Sequence, residues 1–144
     1  MRILILNGAN LNMLGMREPE IYGYETLEQI NQEIRAHAES LGLEIDFVQS
    51  NIEGEIINYI HRTQDKYDGI ILNAGAFTHY SYAIRDAVIS VSTPVIEVHL
   101  SNIYARDEFR HSSVIAGVCM GQISGFDKHS YMLALEYFKI NFSK

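Results

Sequence analysis

Short apolar runs alternate along this chain with longer stretches of helical periodicity. Five runs read as strands: "RILILN", "LEIDFVQS", "DGIILNAG", "TPVIEVHL" and "GVCMGQISG". Each is brief and rich in Ile, Leu or Val, as strands buried on both faces are. Between the first two, "TLEQINQEIRAHAESLG" sets Leu27, Ile30, Ile34, Ala38 and Leu41 on one helical face and meets a stop at Gly42. "EGEIINYIHRTQDKY" and "YAIRDAVISVS" predict two further helices, and "SYMLALEYFKINF" predicts an amphipathic one near the C-terminal end. Repeated in this way, the alternation predicts the α/β class: a single domain over residues 1–144, a five-stranded parallel sheet, and helices on both faces. The pattern favours the flavodoxin-like strand order 2-1-3-4-5, and periodicity alone leaves a Rossmann-like half open.

Composition narrows the partners. Eleven Lys and Arg against 18 Asp and Glu leave a net charge of -7, so there is no broad basic face for nucleic acid. No apolar run approaches the roughly 18 residues that a membrane span needs, and "MRILIL" is too short for a secretory leader. A soluble, cytoplasmic protein without membrane contact is expected. The single cysteine, Cys119, excludes an internal disulfide and reads as a buried thiol on the fifth strand.

Ligands of such sheets bind beyond the carboxyl ends of the strands, so the strand exits carry the candidate chemistry. The first strand leaves into Asn7 and Asn10, the third into "NAGAFTHYS", and the fourth into "EVHLSN". The entry ends, Met1-Arg2, Tyr67-Asp68 and Thr93-Pro94, are ordinary surface turns. A nucleotide cradle would need a glycine loop running straight into a helix, and neither GxGxxG nor GxxxxGK[ST] occurs. His79, Glu97 and His99 have the types of metal ligands, but a carboxylate orienting an imidazole explains the same residues, and no metal is expected. Arg17, Arg106 and Arg110 leave the same edge and suggest guanidinium forks for a small anion, a carboxylate above all.

"NGANLNMLGMREPEIYG", "NAGAFTHYS", "EVHLSNIYARDEFRHSS" and "GQISGF", taken in order, resemble the type II 3-dehydroquinate dehydratases, and the likeness runs over effectively the whole chain. The resemblance implies anti elimination of water from 3-dehydroquinate through an enolate, giving 3-dehydroshikimate without metal or cofactor. It makes Tyr22 the base at C2 and His99 the acid for the C1 hydroxyl, with Glu97 orienting His99. Asn10 would hold the water that steadies the enolate, and Arg17 would stabilise the transition state beside Tyr22. Asn73, His79, Asp86, Leu100, Ser101 and Arg110 would bind the substrate. The family likeness also implies a homo-oligomer, a dodecamer built as a tetramer of trimers. Ala9, Ala74, Phe77, Tyr104 and Ser112 depart from residues frequent in the family, and none of them has a proposed chemical role.

The residues themselves agree with these roles. A free tyrosine, with a pKa of about 10, is a poor base at neutral pH and needs a nearby cation, for which Arg17 on the same loop is the expected source. The segment from Gly15 to Gly23 reads as a lid, pivoting at its glycines and stiffened by Pro19. Two other classes compete with the dehydratase: a non-catalytic module that binds a small anion, and a metal-dependent hydrolase.

Overall fold

The computed structural model describes residues 1–142. Strands β1 (Arg2–Asn7), β2 (Glu44–Gln49), β3 (Gly69–Asn73), β4 (Val95–His99) and β5 (Gly121–Ser124) form one parallel sheet in the order β2-β1-β3-β4-β5. The flavodoxin-like order is therefore the one the chain adopts.

Alternation along β1 explains its unbroken apolar run. Ile3 and Ile5 pack with Ile30, Ile34 and Ala38 of α2 (Leu27–Ser40) and with Ala134, Leu135 and Phe138 of α5 (His129–Phe142). Leu4 and Leu6 face the other way, onto Ile56 and Ile60 of α3 (Glu53–His61) and Ile84, Ala87 and Val88 of α4 (Tyr82–Ile89). Both faces of the strand are covered, so neither can carry polar side chains until the strand ends.

The long segment between β1 and α2 is not wholly irregular. Leu11–Met13 forms a single 3-10 turn, and Pro19 opens a four-residue helix, α1 (Pro19–Tyr22). Helix α2 then starts at a reciprocal cap, with Thr26 Oγ1 accepting from the Gln29 N–H and Gln29 Oε1 accepting from the Thr26 N–H.

The fifth strand is shorter than its apolar run suggests. Ala116–Val118 form a 3-10 turn, and the Cys119 N–H is spent on the Ile115 and Ala116 carbonyls, so it cannot join the ladder. Cys119 is accordingly a half-buried thiol ahead of β5 rather than a strand residue, and burial pushes its pKa to about 12.

Two glycines let the exits of β1 and β3 press together. A Cβ on Gly8 would lie 2.5 Å from the Ala74 carbonyl oxygen, and one on Gly75 would lie 2.7 Å from that of Ala9. The Gly8 N–H also donates to the Asn73 carbonyl at 2.7 Å. Any larger side chain would wedge these two loops apart.

Candidate active site

The loops after β1, β3 and β4 line a pocket at the carboxyl edge of the sheet. Asn10, Arg17, Tyr22, Asn73, His79, His99, Leu100, Ser101 and Arg110 all line it, so most of the residues picked from sequence meet in one place.

The floor is a buried amide pair. Asn7 and Asn73 end neighbouring strands in register, and the hydroxyl of Tyr131, from α5, joins them. It donates to Asn7 Oδ1 at 2.6 Å and accepts from Asn73 Nδ2 at 2.8 Å, while Asn73 Oδ1 accepts from the Gly75 N–H. Burial raises the pKa of Tyr131 far above the usual phenol value, which keeps its proton in place. The sequence marks Tyr131 only as an apolar position on a helix, and nothing in its spacing reveals the polar end.

On one wall, Glu97 is fully buried and His99 nearly so. His99 Nε2 donates to Glu97 Oε2 at 2.8 Å, which leaves Nδ1 as the ring nitrogen to serve the pocket. Burial alone would push the Glu97 carboxyl up, but hydrogen bonds from His99, Ser113 and Gln122 outweigh it and hold the pKa below the ordinary carboxylate value. His79 is fixed by its Nδ1–H, which donates to the Ser112 carbonyl at 2.8 Å. Burial lowers its pKa, so it is neutral at neutral pH and offers Nε2 to a ligand. Because only the carbonyl of Ser112 takes part, the identity of that side chain does not disturb the contact.

The segment between β1 and α2 brings the tyrosine. Tyr22 closes α1, and the guanidinium carbons of Arg17 and Arg106 lie 5.0 Å and 5.1 Å from its ring centroid. The group that reaches the phenol oxygen is Arg106, donating at 2.5 Å and also to Ser101 Oγ at 3.2 Å. Arg17 instead donates to its neighbour Glu18 at 3.0 Å. Local spacing sets Arg106 in an anion-binding cluster and points to Arg17 as the activating cation, because a contact across 84 residues leaves no trace in it.

Arg110 lies over the Phe109 ring at 4.6 Å, and its Nε is buried without a hydrogen-bond partner, the nearest carboxylate oxygen, on Asp107, being 3.8 Å away. Such a donor suits an incoming anion. Asn10 has left-handed backbone angles (φ 69°), and its N–H is held at 2.9 Å by Asn51 Oδ1 from the β2 exit. Asp86 is the exception among the sequence-picked residues: it is exposed on α4 and does not line this pocket. Among the described residues no group of three or more His, Cys, Asp or Glu is arranged to hold a metal ion, and no helix is long and apolar enough to cross a membrane.

A phenol oxygen met by a guanidinium and an imidazole backed by a carboxylate suit proton transfer on a small anion, which places the chain among the α/β enzymes rather than the passive anion binders. Residues 1–139 match the family described as Dehydroquinase class II, and the chain belongs to that family. A 3-dehydroquinate dehydratase of Bacillus licheniformis is 57% identical over 136 residues, which cover 94% of each protein. The type II dehydroquinase of Propionibacterium acnes superposes with a TM-score of 0.94 at 39% identity, covering 97% of both chains. That of Butyrivibrio crossotus gives 0.93 at 49% identity, covering 95% of this chain and 96% of its own.

Proposed function

We propose that the chain dehydrates 3-dehydroquinate to 3-dehydroshikimate in the shikimate pathway, with Tyr22 as base and His99 as acid. The observation that carries this reading is the hydrogen bond from Arg106 to the Tyr22 oxygen, on the same pocket as the Glu97–His99 pair. A guanidinium at the phenol oxygen stabilises negative charge there, so the phenolate can take the C2 proton and leave an enolate. His99 then gives its Nδ1 proton to the C1 hydroxyl, which departs as water and leaves a carbon–carbon double bond. Glu97, tied to Nε2, stabilises the charged imidazole before this transfer and fixes the ring during it.

The other lining groups divide by charge. Arg110, with its unpaired Nε, suits the substrate carboxylate. Asn73, neutral His79 and the Leu100–Ser101 segment suit the ring hydroxyls, and Asn10 suits a water beside the enolate oxygen. Arg17, stacked on the Tyr22 ring, adds positive charge without touching the phenol oxygen. Asp86 can join this set only from outside the single-chain pocket. The protein is further proposed to act in the cytoplasm as a dodecamer, and its chemistry needs neither metal nor cofactor.

The test is ultraviolet detection of the conjugated enone on adding 3-dehydroquinate, with and without EDTA. Turnover indifferent to EDTA, and a fall in kcat of about 10²–10⁴-fold in Tyr22→Phe, are expected. A folded wild-type protein that gives no enone would leave the anion-binding module as the better account.

A further inference from the structure

Two of the family-like segments, "EVHLSNIYARDEFRHSS" and "GQISGF", contain polar residues to which the mechanism gives no role. Ser113 closes the first, and Gln122 is the second residue of the second and of β5. Both side chains end on Glu97.

Glu97 has no solvent exposure, so every lone pair of its carboxylate must find a donor inside the protein. Ser113 Oγ donates to Oε1 at 2.6 Å. Gln122 Nε2 makes a short contact with Oε2, the same oxygen that His99 Nε2 reaches at 2.8 Å. Gln122 sits directly beside Glu97 in the parallel β4–β5 register, so the sheet itself sets their separation.

Each of the two donors is itself aimed. The Ser113 oxygen accepts from the Ile115 N–H at 3.3 Å and the Ala116 N–H at 3.0 Å. A hydroxyl has two acceptor positions and one proton, so with both acceptors occupied its proton can point only at Glu97. Gln122 Oε1 accepts from Ser124 Oγ at 3.2 Å, which settles the amide's orientation and turns Nε2 toward the carboxylate. A carboxylate gripped at both oxygens cannot rotate, and an imidazole hydrogen-bonded to it cannot swing.

We propose that Ser113 and Gln122 are positioning residues for the proton donor: they clamp the Glu97 carboxylate from its two oxygens and through it hold the His99 ring in the attitude that presents Nδ1 to the leaving hydroxyl. The proposal deepens the dehydratase reading and rests on it for its kinetic consequence. Neither residue lines the pocket, so neither is expected to affect substrate binding.

The experiment compares wild type, Ser113→Ala, Ser113→Thr and Gln122→Met by proton NMR of the His99 Nε2–H, assigned with His99→Ala, and by steady-state kinetics. The clamp predicts a displaced or exchange-broadened Nε2–H in Ser113→Ala and Gln122→Met. It also predicts a fall in kcat of about 10- to 100-fold with KM held, as expected for loss of an outer support to a chemical group. Ser113→Thr, which keeps the hydroxyl, should restore both readouts. An unmoved resonance with unchanged kcat in the folded variants would overturn the proposal, as would a rise in KM alone. If Ser113→Ala fails to fold, the same readouts on Gln122→Met decide. If wild type gives no turnover, the dehydratase reading falls, while the resonance still decides whether the clamp exists.

Discussion

A charged group without water, such as Glu97, makes the folded state answer to pH. Its folded pKa lies below the unfolded value of about 4.3, so its contribution to stability is full above that value and is lost as pH falls through the folded one. His79 works in the same direction from a different cause, since burial lowers its pKa below the unfolded value of about 6.5. In the window between the two values the unfolded chain binds more protons, and stability rises with pH. Urea midpoints should therefore fall on acidification in two stages, and Glu97→Gln should flatten the lower one. At the phenol, Arg106→Ala should reduce kcat about 10²–10³-fold, the usual loss when a donor to a developing anion is removed, and more than Arg17→Ala does. Steady-state kinetics of the two variants check the order. His99 and Arg110 stood out as candidate chemistry because their types are conspicuous beyond strand exits, whereas Tyr22 was reached through the family resemblance. Arg106 was visible as a cation but not as the partner of Tyr22, and Asn51 and Tyr131 carried no signal, since each acts on a residue more than forty positions away.

At the scale of elements, periodicity predicted the strands and long helices because each must bury a face, and burial writes itself into the alternation of residues. It failed where hydrogen bonding, not burial, decided the structure. The run before β5 is apolar enough to extend, yet its N–H groups turn back on the preceding carbonyls. Helix α2 is where a local device can be measured: Thr26→Ala removes one half of its cap and should cost about 1 kcal/mol in urea denaturation. The segment from Gly15 to Gly23, expected to act as a lid, is the more consequential element. Gly15 has φ +88°, and a Cβ there would lie 2.9 Å from the Tyr24 carbonyl oxygen, so the two ends of the lid meet at that glycine. Gly15→Ala is expected to lower kcat/KM by disturbing how Tyr22 is delivered, with little change in the unfolding midpoint of the sheet. Comparing kinetics with thermal melts separates the two effects.

For the whole molecule, the sheet order follows from alternation only as a preference between two topologies, and long-range pairing had to settle it. The proposed assembly bears on the surface instead. Tyr80, Tyr82, Ile89, Tyr104, Phe109, Phe126 and Ile140 are large, apolar and exposed in the single chain, and a homo-oligomer would have such side chains to cover. Sedimentation checks the proposed dodecamer and should find it in place of a monomer. The floor of the pocket has a consequence in time. Asn7 and Asn73 leave the ribosome well before the hydroxyl that fastens them, which belongs to residue 131 on α5. A nascent chain halted after β5 has all five strands and both asparagines, and still has no finished floor. Competence for substrate thus waits until α5 is made and docks.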